Sequence, residues 1–393
     1  MKICEEKDCT GCGLCESICP KGAISFKYSN VFSEYPVIDS ELCVNCNLCR
    51  KKCPVHKKEK KKVYPIECFA GYRTDNGRLD AASGGIASRI AESFVRTGLV
   101  ASVISDDRCI PKFEILKDSC CIEKIKGSKY VQAQPNFVYR KVLDIILRGE
   151  RCLFIGMPCQ VYAMNQAIAS VSDELKKNLY TVDILCHGVS PTQFFVEELA
   201  FLEKKLGRID RVSFRSNRTN AAFKFCAFRN NRLIFSKSYY EQPYYYGFIN
   251  SITLRESCYS CDYSEIQRVG DLSLGDFIGL GKDNRYQKFE GNSKNASLIL
   301  VNSSKGQELL ELIGCETVEL WSRDVQEAQD YCPALNGHEI KNQRAINFRK
   351  LIGNINYPAA LRKIVWRPVL INKLLKYINY ICRKANLPEI KFM

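Results

Sequence analysis

Two cysteine runs constrain this chain more than any other feature. Cys9, Cys12, Cys15 and Cys19 are followed by Pro20, and Cys43, Cys46, Cys49 and Cys53 by Pro54. Each run reads C-x2-C-x2-C-x3-C-P. Three closely spaced thiolates wrap one face of a cubane, and in two-cluster proteins with this spacing the fourth cysteine of each run serves the other cluster. One [4Fe-4S] cluster is therefore expected on Cys9, Cys12, Cys15 and Cys53. A second is expected on Cys43, Cys46, Cys49 and Cys19. Each proline is expected to stop the helix that carries the fourth ligand. Zinc sites ordinarily use two separated pairs rather than an unbroken run of four. A disulfide framework would need an oxidising compartment, and residues 1–6 are polar, with no apolar export segment.

The 393 residues leave room for two or three domains. Apolar residues at 46% and charged residues at 26% suit a globular protein. The 22 cysteines exceed what packing needs and point to the reducing cytoplasm. The most membrane-like stretch, 84–104, is interrupted by Arg89, Glu92 and Arg96, so no transmembrane segment is expected. A net charge of +15 would attract an acidic protein, an anionic surface or nucleic acid, though it also serves solubility alone. No helix-turn-helix, zinc-finger or RRM pattern accompanies the charge, so no nucleic-acid partner is expected.

Residues 1–54 form a first domain whose core is small, so its clusters should supply much of its folding energy. Short strands are expected at Ala23–Phe26 and Pro36–Ile38. The lysines of 55–66, among them Lys57, Lys58, Lys60, Lys61 and Lys62, mark an exposed linker or a docking surface for an acidic electron carrier. Ser83-Gly84-Gly85 precedes a helical pattern in which Ile86, Ile90 and Phe94 recur. Two glycines at a helix start allow an anion to approach free N–H groups, but locally the pattern fits an ordinary capped turn better.

Strand and helix then alternate. Strands are expected at Arg151–Ile155 and Tyr180–Leu185, and helices at Pro158–Ala169 and Pro191–Leu206, which implies neighbouring parallel strands. Cys159 and Cys186 each follow a strand and should meet at one sheet edge, where ligands bind in α/β proteins. Cys258 and Cys261 add a C-x2-C pair. These four are candidates for a third cluster. Short antiparallel strands are expected over 212–235, with Asn230-Asn231 as a turn. Tyr239, Tyr240, Tyr244, Tyr245 and Tyr246 suit an aromatic core more readily than a stacking site. The tail from Pro358 suggests a basic amphipathic helix, packed on its own domain rather than on a membrane.

Taken in order, Ser83-Gly84-Gly85, Gly127-Ser128-Lys129-Tyr130-Val131-Gln132, Pro158-Cys159-Gln160, Asp183-Ile184-Leu185-Cys186-His187-Gly188, Cys258 with Cys261, and Gly275-Asp276-Phe277 resemble the coenzyme F420 hydrogenase/dehydrogenase beta-subunit family. The form resembled carries an N-terminal di-cluster ferredoxin domain. The resemblance implies an α+β chain, with a small di-cluster ferredoxin domain followed by a mixed α/β flavin and iron–sulfur domain. It implies a ferredoxin domain at 1–54, a basic linker at 55–66, a flavin-binding region at 67–140, a catalytic and iron–sulfur region at 141–340, and a basic helical tail at 341–393. By the same resemblance Cys159, Cys186, Cys258 and Cys261 become ligands of a third [4Fe-4S] cluster. Ser83, Gly84, Gly85, Ser128, Lys129 and Gln132 become contacts of FAD. His187 is either a proton donor near the flavin, hence catalytic, or a structural residue orienting the cluster loop. The implied function is an oxidoreductase passing electrons between a ferredoxin-like carrier and a small-molecule hydride acceptor such as a deazaflavin. A non-catalytic electron-transfer subunit is the alternative.

Overall fold

A computed structural model describes residues 2–29, 32–57, 60–215, 223–314, 316–384, 388 and 390. Lys58 of the basic linker lies outside the described residues.

The two cysteine runs are joined by a hairpin, β1 (Ile24–Tyr28) antiparallel to β2 (Glu34–Ile38), with Ile24 opposite Ile38. Each run folds into one short helix, Leu14–Ser17 and Leu48–Lys52, which holds the third cysteine. The helices end before the fourth. Cys53 is already extended, with φ −61° and ψ 125°, so the prolines follow a turn that has already closed.

The remaining strands are β3 (Glu67–Arg73), β4 (Leu99–Ser105), β5 (Pro111–Leu116), β6 (Cys152–Gly156), β7 (Leu179–Ile184), β8 (Arg211–Ser213), β9 (Lys224–Arg229), β10 (Arg232–Ser238), β11 (Leu272–Asp276), β12 (Ser297–Val301) and β13 (Val318–Arg323). Eight of them form one sheet in the order β13-β3-β12-β11-β7-β6-β4-β5. The central strands β4, β6, β7 and β11 run parallel. Every residue of β6 is buried, as expected of a strand covered on both faces. The strand–helix alternation over 151–206 thus forms the centre of the sheet. β3 pairs with β12 and β13, more than two hundred residues later. The segments 67–140 and 141–340 therefore share one sheet.

A second sheet, β10-β9-β8, turns at Asn230-Asn231, where φ values of 48° and 60° suit a tight hairpin. The helix Pro243–Ile249 buries Tyr244, Tyr245 and Tyr246 in a core shared with Phe194, Phe195 and Tyr357. The tyrosine-rich segment is core. The basic linker is pinned rather than free. Lys60 pairs with Asp262, Lys62 with Glu265, and Val63 exchanges backbone hydrogen bonds with Arg268.

Candidate iron–sulfur centres

Folding of the first 54 residues places the eight cysteines of the two runs around two cavities. One is lined by Cys19, Cys43, Cys46 and Cys49. The other is lined by Cys9, Cys12, Cys15 and Cys53. The runs thus exchange their fourth members. Among the described residues, neither set brings three sulfur atoms within 4.8 Å of one another, and the same holds for the four later cysteines. Tetrahedral zinc with Zn–S near 2.3 Å requires sulfurs roughly 3.8 Å apart. The openings fit a larger group than a single ion.

Cys4 also lines the second cavity, a position the spacing did not single out. Its thiol hydrogen-bonds toward Cys53 and Cys9, which raises its own pKa and lowers theirs. The Arg255 guanidinium lowers Cys9 further.

The third group is assembled by the main sheet. Cys159 follows β6 and Cys186 follows β7, at the carboxyl edge of two adjacent parallel strands. Cys258 and Cys261 come from the loop between the helix Pro243–Ile249 and β11. Burial pushes the Cys159 thiol well above its usual range, and the nearby Cys186, Cys261, Cys12 and Cys258 push it further. Burial likewise holds Cys186 up at about 12 and Cys258 at about 11. Such thiols are stable as thiolates only with a compensating positive charge, which iron would supply. Cys12, from the first domain, stands among the electrostatic neighbours of Cys159. Tyr139 lies at this junction and donates 2.9 Å to the carbonyl of Cys12. Tyr263 lies there too, close to Cys159 and Cys12, and its buried hydroxyl has no hydrogen-bond partner among the described residues.

Two buried ion networks fix the arrangement, and neither was evident from sequence. Arg268 pairs with Asp183 and donates to the carbonyls of Tyr263 and Glu265, while the second Asp183 oxygen accepts from the amide of Gly270. This ties the loop after Cys261 to the end of β7, just before Cys186. Arg255 binds the carbonyl of Cys9 at 3.0 Å, Gln132 Oε1 at 2.6 Å and the carbonyl of Glu34.

The expected flavin contacts divide. Gly127 approaches the stretch just before Ser83–Gly85: a β-carbon at Gly127 would stand 3.9 Å from the Asp80 carbonyl. The Lys129 ammonium is capped by the carbonyls of Ile125, Lys126 and Gly127 at 3.0, 3.2 and 3.3 Å, and burial lowers its pKa to about 8. Ser83 donates to the Ala296 carbonyl, and Gly85 caps the helix Ile86–Phe94 with φ 83°. Ser128 is half-buried. Two residues depart from the expectation. A β-carbon at Gly84 would stand 2.3 Å from the Gly71 carbonyl, so this glycine lets the turn close on β3 and is shut off from a ligand. Gln132 has its amide nitrogen on the Gly11 and Thr10 carbonyls and its oxygen on Arg255. It holds the first domain instead of facing the 83–85 turn.

His187 has partners at both ring nitrogens. Nδ1 lies 3.2 Å from Glu339, and Nε2 lies 3.2 Å from the Phe248 carbonyl and 3.3 Å from Ser251 Oγ. The hydrogen bond with His187 lowers the pKa of Glu339. This geometry fits the orienting role better than the catalytic one.

Crossed cysteine runs docked on an α/β sheet that gathers four further cysteines define an iron–sulfur protein. Residues 8–57 match the 4Fe-4S dicluster domain, and residues 149–322 match the C-terminal region of the coenzyme F420 hydrogenase/dehydrogenase beta subunit. The chain is thus similar to that beta subunit over 149–322, with a stretch similar to a dicluster domain ahead of it. It is 22% identical over 197 residues to one of the subunits of the F(420)H(2) dehydrogenase of Methanosarcina mazei, a match covering 47% of this chain and 55% of the relative. The chain therefore spans about half the length of the curated relative it matches. A chain of the F420-reducing [NiFe] hydrogenase complex from Methanosarcina barkeri superposes with a TM-score of 0.47 at 16% identity, over 80% of this chain and 94% of that one.

Proposed function

We propose that this chain is an oxidoreductase subunit that passes electrons between a ferredoxin-like carrier and an organic hydride acceptor, using three [4Fe-4S] clusters and FAD. When bound, the clusters would supply one-electron transfer, and FAD would exchange single electrons for a hydride. Cys9, Cys12, Cys15 and Cys53 would hold one cluster, Cys19, Cys43, Cys46 and Cys49 a second, and Cys159, Cys186, Cys258 and Cys261 a third. Ser83, Gly85, Ser128 and Lys129 are the residues proposed to contact FAD. His187 would keep the Cys186 loop in place through Glu339 and Phe248. An F420-like deazaflavin is the acceptor class suggested by the named relative. The 22 cysteines suit a reducing compartment, the cytoplasm.

The observation carrying this reading is the juxtaposition of Cys12 and Cys159. It brings a cavity of the first domain beside the cysteine group at the sheet edge, as an electron path between them requires. A relay protein without its own substrate is the second reading, favoured by the close packing of Gly84 on Gly71 and by the hydrogen bonds that already engage Gln132. Flavin analysis of anaerobically purified protein separates the two. One FAD per chain, reduced by a viologen donor through the clusters, supports the oxidoreductase. Clusters without flavin support the relay.

A further inference from the structure

The helix Tyr357–Lys384 has an unusual distribution of polarity. In its first half Leu361 and Val365 face the protein and are fully buried. In its second half the inward positions are polar: Asn372 donates to the Tyr240 carbonyl, and Asn379 exchanges two 2.8 Å hydrogen bonds with the backbone of Ile390. The outward positions are apolar. Trp366, Leu370, Leu374, Tyr377 and Ile381 recur at helical spacing along one side, with Leu374 56% and Tyr377 67% exposed. An apolar stripe of this length turned to solvent marks a binding face.

The charge around the stripe is of one sign. No aspartate or glutamate occurs between Tyr357 and Lys384, whereas Lys363, Arg367, Lys373 and Lys384 are all exposed. The acids packed against the helix from neighbouring elements are engaged on its inner side and flank. Glu198 pairs with Arg362, Glu241 with Lys376, and Glu197 accepts from the Tyr357 amide. Lys384 lies over the Tyr380 ring, and Arg367 over Trp366. Aromatic residues and long basic side chains flanking an apolar stripe form the composition of helices that lie in the interfacial layer of a bilayer. Two copies pairing through this face would oppose like charges, which disfavours self-association. No helix among the described residues is long and apolar enough to cross a membrane, so the contact would be parallel to the surface.

We propose that the outer face of this helix docks the protein on the surface of an anionic lipid bilayer. Trp366, Leu370, Leu374, Tyr377 and Ile381 enter the interface, and Lys363, Arg367, Lys373 and Lys384 engage the headgroups.

The test is co-sedimentation of the full-length protein with vesicles of phosphatidylcholine alone or mixed with phosphatidylglycerol, at low and high salt. The expected result is binding to the phosphatidylglycerol vesicles that weakens at least tenfold in high salt, with little binding to phosphatidylcholine. Leu374→Asp should reduce vesicle binding at least tenfold, and Lys373→Glu should do so selectively at low salt. Both positions are exposed, so circular dichroism and iron content should match the parent. Equal binding to both vesicle types, or undiminished binding by Leu374→Asp, would overturn the proposal. So would self-association that Leu374→Asp abolishes, without vesicle binding by the parent; the face would then belong to a second copy.

Discussion

Arg255 donates from Nε to the carbonyl oxygen of Cys9 across 3.0 Å. The same carbonyl accepts from Ser257 at 3.1 Å. Arg255 lies three residues before Cys258, whose amide donates to its carbonyl. One fully buried guanidinium therefore links the loop of the first cysteine run to the loop of the third cysteine group. Gly11 faces the same guanidinium so closely that a β-carbon would stand 2.7 Å from its Cζ. The two sites are held in fixed relation by packing and hydrogen bonds, not by the linker alone.

Arg255→Ala leaves the Cys9 and Glu34 carbonyls and Gln132 Oε1 without this donor in a buried setting. Removing one member of a buried charged network costs about 3–5 kcal/mol. The first domain should loosen from the sheet domain. Hydrogen exchange would report this as faster exchange over residues 9–15 than in the parent, with the β6 and β7 amides unchanged. Unaltered protection over 9–15 would refute the linking role.

The exchange of fourth cysteines between the two cavities makes a distinct prediction. Cys19→Ala should abolish the EPR signal of the cluster held by Cys43, Cys46 and Cys49, and spare the one at Cys9. Cys53→Ala should do the reverse. Loss of the adjacent cluster in either variant would show that the runs do not cross.

Lys129 gives a pH dependence. Burial disfavours its charged form and lowers its pKa to about 8, below the usual lysine range. The neutral amine, which is the reactive form, should dominate above pH 8. Acylation followed by mass spectrometry should show Lys129 labelling with a midpoint near pH 8, while exposed lysines label at higher pH. A bound anion would favour the ammonium, so added FAD should move the midpoint up if the flavin phosphates or ring lie against it. A midpoint that FAD leaves in place would exclude Lys129 from the flavin site.

Tyr263 has a buried hydroxyl with no partner among the described residues, beside Cys12 and Cys159. Burying such a group unpaired costs about 1–3 kcal/mol. In the iron-free chain Tyr263→Phe should therefore be neutral or stabilising on denaturant titration. In the loaded protein the hydroxyl can donate to a cluster sulfur, and hydrogen bonds to sulfur help set the potential. The same variant should then lower the midpoint potential of one cluster in a redox titration followed by EPR. Unchanged potentials together with a destabilised iron-free chain would show a packing role only.

Local spacing made much of this legible before the fold was known. The cysteine runs state their own ligand pattern. Pro158 and Cys159 after an apolar run, and Cys186 after the next, follow the rule that parallel strands deliver their carboxyl ends to one edge. The long-range elements left no such signal. β3 pairs with strands more than two hundred residues away, and its alternation is blurred because most of its residues are buried. In sequence Arg255 and Arg268 look like surface cations, because the partners Cys9 and Gln132 of the first and Asp183 of the second are far along the chain. Gly84 and Gln132 were assigned through resemblance to a ligand-binding segment. Their surroundings turn one toward β3 and the other toward Gly11, and neither direction is encoded nearby.

Three four-cysteine sites that form one connected set would each hold four iron and four sulfide. Iron and sulfide analysis of the protein, purified and reconstituted anaerobically, is set beside the variant in which Cys159, Cys186, Cys258 and Cys261 are all serine. About twelve iron and twelve sulfide per chain are expected in the parent and about eight of each in the variant. About eight in both would mean that the sheet edge carries no cluster, and that the set is two sites, not three.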